Sequence, residues 1–258
     1  MDSQLHKPTL RVINVLNIVD KYEQGLTFSD ISEKLNIPKS TLSPILKTLV
    51  ESKYLEIDEK GCYKTSFQLF QLGMSYSGHL DVMSIIRKQM ENIVDKVGEI
   101  TQFGVLIDDM VLYLEKVNTN DNIEIVSSVG KKLPARATGL GKALLSGLTN
   151  EEIEKLYEGV KFTKITENTK DNLKDLIGEI EQVRKNGYAL DNQEISMNMS
   201  CVAVPIKVNG KVKGAMSVTY PMFRKTEGKN EEILDALLYH KNIIEKILDI
   251  QKLDIDFA

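Results

Sequence analysis

The sequence is poor in most of the features that mark a special environment. Its 258 residues include two cysteines, Cys62 and Cys201, which lie far apart. That excludes a disulfide framework and a cysteine-based zinc site. No run of about 18 uncharged apolar residues occurs, so no transmembrane helix is expected. The first residues, MDSQLHKPTL, lack the apolar stretch of a signal peptide, and a reducing cytoplasm is the expected setting. Basic charge is not in excess. Lys and Arg number 33 against 37 Asp and Glu, a net charge of −4, which excludes a protein that coats nucleic acid by charge alone. A small DNA-reading module at one end is still compatible with it. Apolar residues make up 42% of the chain, enough for one large domain or two ordinary ones. There are no internal repeats or low-complexity segments.

The first 66 residues read as three short helices and a hairpin. Val12, Val15, Leu16 and Val19 recur at spacings of three and four and mark one helical face. Gly25 breaks the pattern. LTFSDISEKL then opens a second helix, with Thr27 or Ser29 as its N-cap and Ile31 and Leu35 on its buried side. Pro38 suits the first position of a third helix, in which Leu42, Ile45, Leu46 and Leu49 face inward. Lys39, Ser40, Thr41, Ser43, Lys47 and Thr48 are left mostly outward. YLEIDEKGCYKT reads as strand, charged turn and returning strand. The sum is a winged helix-turn-helix over residues 1–66.

Residues 67–80 are expected to form a linker helix, since Gly73 and Gly78 weaken any single rod running from Phe67 to Val97. From there to residue 258 the pattern is α+β. QFGVLI and VLYLEKV, separated by Asp108, Asp109 and Met110, alternate as a hairpin. NIEIVSSVG is a third strand candidate. TGLGKALLSGL and TNEEIEKLY read as short helices, the second with a Thr N-cap and an acidic first turn. Leu173, Leu176, Ile177, Ile180 and Val183 mark a helix closed by Asn186-Gly187. CVAVPIKV and KVKGAMSVTY flank Asn209-Gly210, the residues of a type I′ turn. A last amphipathic helix holds Ile233, Leu237, Ile244, Ile247 and Leu248. An antiparallel sheet with helices packed on it follows.

Two regions carry chemistry. In a helix-turn-helix the second helix of the pair enters the major groove, where small hydroxyl residues approach bases and phosphates. Lys39 and Lys47 would contact phosphate. Residues 39–64 hold five Lys (39, 47, 53, 60, 64) against Glu51, Glu56, Asp58 and Glu59, so one copy should bind DNA weakly and a dimer on a palindrome better. The expected DNA-contacting set is Ser29, Lys39, Ser40, Thr41, Ser43, Lys47, Thr48 and Lys60. The second region is TGLGKALL. It is no Walker A loop, because Arg136 occupies the first-glycine position and Ala143 the magnesium-binding one, nor a dinucleotide fingerprint, because Leu144 replaces the third glycine. Its glycine turn at Thr138, Gly139, Leu140 and Gly141 leads into a helix whose free N–H groups favour a carboxylate. Ser217 and Thr219 alternate onto one strand face that can line a pocket. Catalysis is not expected: Cys201 on a strand is far from both His79 and His240, and Asp191 with Cys201 supplies too few ligands for a metal. No cofactor is implied.

Three segments, LTFSDISEKLNIPKSTL, SSVGKKLPARATGLGKALL and VRKNGYALDNQEI…CVAVPI, occur in an order and spacing that resemble the IclR family of bacterial transcription regulators. The resemblance runs from about Thr9 to Leu248. It implies a winged helix, a linker helix and a GAF-like effector-binding domain, assembled as a homodimer or dimer of dimers. It also implies that Asp191, Cys201, Ser217 and Thr219 contact a small organic acid. An Asp beside a carboxylate points to a hydroxy- or keto-acid whose hydroxyl or hydrated carbonyl donates to it. Pro44 departs from the family, which usually has a basic residue there. It should bend the recognition helix after its first turn and alter operator preference. The function expected is a non-enzymatic DNA-binding regulator whose C-terminal domain binds an organic acid and modulates operator binding. The alternative is a metabolite sensor whose winged module makes protein contacts.

Overall fold

The computed structural model describes residues 5–75, 80–119 and 125–255, in two compact units, Met1–Gly78 and His79–Ala258. Among the described residues no helix is long and apolar enough to cross a membrane.

In the first unit, α1 (Lys7–Asp20), α2 (Phe28–Leu35) and α3 (Lys39–Glu51) precede a hairpin of β1 (Leu55–Ile57) and β2 (Tyr63–Thr65). Between α1 and α2, Gly25 has φ +76°, and a Cβ there would lie 2.9 Å from the Tyr63 carbonyl, so the turn needs glycine. Thr27 caps α2 through a reciprocal box: its Oγ1 accepts from the Asp30 N–H at 3.3 Å, and Asp30 accepts from the Thr27 N–H at 3.0 Å. Asn36 ends the helix in the left-handed region, φ 50°. Pro38 is the N-cap of α3, one residue earlier than its spacing predicts. Val15, Val19, Ile31, Leu42, Leu46 and Leu49 meet in one core. Pro44 has no N–H to donate to the Ser40 carbonyl, yet α3 continues as one helix through it. Pro44 is exposed, and the buried leucines on the opposite side hold the helix together against a cost of ~3 kcal/mol. One turn on, Thr48 Oγ1 donates to the Pro44 carbonyl at 2.8 Å. In the wing, Asp58 accepts from the Lys60 and Cys62 N–H groups, each at 2.9 Å, which closes the turn. α4 (Phe67–Ser75) ends this unit.

The second unit is built on six antiparallel strands in the order β5-β4-β3-β8-β7-β6. These are β3 (Ile100–Ile107), β4 (Met110–Val117), β5 (Lys132–Pro134), β6 (Ala189–Asn192), β7 (Met199–Val208) and β8 (Lys211–Pro221). α5 (Leu80–Val97) and α9 (Lys229–Gln251) supply Ile86, Met90, Ile93, Ile233, Leu237 and Ile244 to a core with Phe103, Val202, Val204, Met216 and Val218. Residues of opposite parity, Cys201, Ala203 and Ala215, face the other way. They pack with α6 (Gly139–Leu145), α7 (Asn150–Leu156) and α8 (Leu173–Asn186). The β7–β8 turn has Asn209 at φ 51° and Gly210 at φ 78°, as a type I′ hairpin requires.

One strand expectation is corrected. Within NIEIVSSVG, residues 122–124 lie outside the described residues, and Ile125–Gly130 is not strand. The ladder begins after the turn. Gly130, at φ 82°, donates to the Tyr113 carbonyl, and the Lys131 carbonyl accepts from the Tyr113 N–H. Only then does Lys132–Pro134 pair with β4. Over Ile125–Gly130 the period of two tracked a loop in which only Ser127 is buried.

Candidate functional site

On the first unit, Ser29, Lys39, Ser40, Ser43, Lys47, Thr48 and Lys60 are exposed, and Thr41 is half-buried. Lys47 lies 3.8 Å from Glu51 one turn on, both in solvent. Such an exposed pair is worth about 0.3–0.5 kcal/mol and leaves the lysine free to exchange partners. Ser29 sits in the first turn of α2; the cap is Thr27.

On the second unit, antiparallel pairing puts one row of side chains across three strands: Asp191 opposite Cys201, and Cys201 opposite Thr219. The next row holds Ala203, Ser217 and Gln102. Over these rows lies α6. Thr138 caps it, accepting from the Gly141 N–H at 3.0 Å, and shares a hydrogen bond with the Tyr113 hydroxyl. A Cβ on Gly139 would come 3.1 Å from Cys201 Sγ and 3.3 Å from the Asp191 N. The glycine therefore lets the turn approach the sheet. Gly141 has a different task, since a Cβ there would lie 2.2 Å from the Ala135 carbonyl.

Between α6 and the sheet is a cavity of about 30 Å³, lined among others by Thr138, Gly139, Leu140, Asp191, Cys201 and Thr219. Sequence reasoning named all six. Ser217 and Gly141 do not line it. Ser217 is fully buried one row deeper, beside the Cys201 thiol. The lining also includes Gln102, Tyr113, Ser127, Ser196 and Met199, which sequence reasoning missed. Gln102 had a signal, the one amide in a strand that is mostly apolar. Thr219 Oγ1 donates to Gln102 Oε1 at 3.3 Å, and Gln102 Nε2 donates to Ser127 Oγ. These bonds make a polar wall opposite Asp191. The helix-dipole contribution expected at the glycine turn is small, because α6 has seven residues.

Behind the cavity lies a buried charge cluster that sequence reasoning also missed. Lys142 Nζ is 2.6 Å from Glu194 Oε1 and 2.9 Å from Glu179 Oε2. Lys170 Nζ lies 3.1 Å from Glu179 Oε1. Burial works against the Lys142 ammonium, but the two carboxylates outweigh it and hold the proton on. Burial raises Glu194 against the pull of Lys142. The Glu194 N–H in turn donates to Asp191 Oδ1 at 2.7 Å. Burial pushes the Asp191 carboxyl up to about 7, and the Glu194 charge adds to the rise.

Burial, with the Asp191 charge beside it, pushes the Cys201 thiol up to about 12. A thiol held that high is a poor nucleophile at neutral pH. His240 is on α9, against the other sheet face, with Nδ1 2.8 Å from Gln89 Oε1. His79 lies outside the described residues. Among the described residues no group of three His, Cys, Asp or Glu side chains is placed to hold a metal.

Comparison with known proteins agrees with this division. The IclR helix-turn-helix domain matches residues 8–59, and the bacterial transcriptional regulator IclR C-terminal domain matches residues 74–244. The regulator XynR of Escherichia coli (strain K12) is 30% identical over 197 residues, covering 76% of this chain and 78% of XynR. The crystal structure of Thermotoga maritima IclR superposes with a TM-score of 0.76 at 27% identity, over 94% of this chain and 99% of that one. An IclR homologue from Microbacterium hydrocarbonoxydans, solved with 4-hydroxybenzoate, has the same fold: TM-score 0.82, 24% identity, 93% of this chain and 99% of that one. An exposed hydroxyl- and lysine-bearing α3, a polar cavity under α6 and both family matches agree: the chain belongs to the IclR family of bacterial transcriptional regulators, with a helix-turn-helix domain ahead of an IclR effector-binding domain.

Proposed function

We propose that the cavity under α6 receives a small organic acid and that its occupancy changes how the helix-turn-helix units grip an operator. The carrying observation is the cavity wall, where residues bearing hydroxyls (Thr138, Thr219 and Ser127), the Gln102 amide and the Asp191 carboxyl line one small cavity. The 4-hydroxybenzoate bound by the Microbacterium homologue supports a carboxylic acid as the ligand class. Asp191 favours hydroxy- and keto-acids, which offer it a second polar group. At about 30 Å³ the space suits roughly two waters. A larger acid enters by moving Ile125, Val126 or Met199 aside. Thermal-shift screening of hydroxy- and keto-acids tests this assignment. Flat melting curves with every one would remove it.

The DNA-binding reading assigns base and phosphate contacts to Ser40, Thr41, Ser43 and Thr48, with Lys39, Lys47, Lys60 and Ser29 on phosphate. The weakly basic balance of residues 39–64 fits two copies acting on a palindrome, as a dimer or dimer of dimers. Phe67 and Phe70 on α4, 67% and 58% exposed, offer apolar surface for that pairing and for relaying the effector signal. Lys47→Ala is expected to weaken binding to specific and unrelated DNA alike. The slope of log K against log salt should fall by about one per copy engaged. A mobility-shift titration at several salt concentrations on the protein's own upstream region measures it. No salt-sensitive shift at all would favour a winged module used for protein contacts.

A further inference from the structure

We infer that the cavity takes its acid together with one proton, held at Asp191, so that Asp191 acts as a neutral donor and the ligand is a monocarboxylate. This rests on the cavity being the acid site and deepens that reading. Asp191 is the one carboxyl among the lining residues, and no Lys, Arg or His lines the space among the described residues. It is 4% exposed. Its Oδ1 accepts from the Glu194 N–H, and the Ile195 N–H also bonds the carboxyl, so the group is fixed in place at the cavity wall.

The charges around Asp191 offer no counter-ion to a second anion. On α6, Lys142 is held by Glu194 and by Glu179 from α8. In the loop before α8, Lys170 is paired to Glu179. Arg136, ahead of α6, donates to the Thr163 and Lys170 carbonyls. The Lys116 Nζ, on β4, donates to the Ser127 carbonyl at 3.4 Å. Cys201 on β7 and Tyr113 on β4 face Asp191 as neutral groups, both raised by burial and by the Asp191 charge. A carboxylate entering beside an ionised Asp191 would place two like charges in a small cavity that no cation lines among the described residues. One proton from solvent removes the conflict, and the neutral carboxyl then donates to the ligand. The elevated Asp191 pKa agrees with this arrangement. A second carboxylate would need a second proton, so malate should bind far more weakly than lactate.

The test is titration calorimetry on the full-length protein with lactate, pyruvate and 4-hydroxybenzoate, in pairs of buffers with different ionisation enthalpies. Proton uptake is expected to approach one per acid bound at pH 8.5 and to fall towards zero at pH 6. Affinity should drop about 25-fold between pH 6.5 and 8.5. Asp191→Asn presents a permanently neutral donor in the same place, and its affinity should be flat over that range. Binding without proton uptake at pH 8.5 overturns the inference while leaving the acid site standing. Binding of none of the three acids overturns the site and the inference with it. The calorimetric result on the unmodified protein decides the matter even if the variant does not fold.

Discussion

Replacing Lys142 with methionine should destabilise the C-terminal unit by about 3–5 kcal/mol at pH 8, more than any surface change in the protein. The ammonium is 2% exposed and is the close cation for Glu194, itself 4% exposed. Methionine fills most of the volume, so the loss comes from charge. Glu194 keeps one oxygen with no partner even in the intact protein. Without Lys142 both oxygens would be unpaired. The effect has a pH signature. Burial already raises Glu194, and removing the ammonium raises it further. A carboxyl with a folded pKa above its unfolded value binds more protons when folded, so its contribution is lost as pH rises. The Lys142→Met penalty should therefore shrink between pH 8 and pH 5. Adding Glu194→Gln should recover much of the loss at pH 8, because it removes the stranded charge. Urea melts at the two pH values measure all of this. An equal penalty at both would mean that packing, not charge, is what Lys142 supplies.

Gly141→Ala is the second large effect, for a steric reason. The added Cβ would stand 2.2 Å from the Ala135 carbonyl oxygen, 2.3 Å from its Cα and 2.6 Å from its carbonyl carbon. These are backbone atoms of the 3-10 turn Ala135–Ala137 immediately before α6, and they cannot rotate away. The turn and the helix must separate, which also disturbs the Thr138 cap and the cavity above the sheet. A loss of about 3 kcal/mol or more is expected, at the upper end for overpacking. Gly178→Ala is the internal comparison. It lies in α8 with nothing within 4 Å of the new Cβ, so alanine there should stabilise by up to about 1 kcal/mol. Denaturant midpoints of the two variants should move in opposite directions.

What could be read from the sequence is what local chemistry dictates. Thr149 with Glu152 is a capping box in the structure as in the string, and Asn209-Gly210 makes its turn wherever the strands lie. The face shared by Ser217 and Thr219 followed from alternation, and the grouping of Cys201 with Thr219 at one cavity from the family resemblance. What could not be read depends on strand order. β3 pairs with β8 across more than a hundred residues, and only that pairing brings Gln102 next to Thr219. Lys142 gave no warning, since a lysine in GLGKALL looks like an exposed helix residue. Its partners Glu179 and Glu194 come from elements far along the chain. Pro44 shows the limit of local propensity. A helix-breaking residue sits on the exposed side of α3, where packing of the opposite face overrides propensity.

The proposed function stands on a coupling, in which an acid seated beside Asp191 would alter the grip of the α3 hydroxyls and lysines on a duplex. Operator affinity with and without saturating acid, compared with acid affinity with and without operator, measures that coupling from both ends. The two ratios should be equal and differ from one by roughly 5- to 150-fold. An acid that binds tightly yet leaves operator affinity untouched would contradict it.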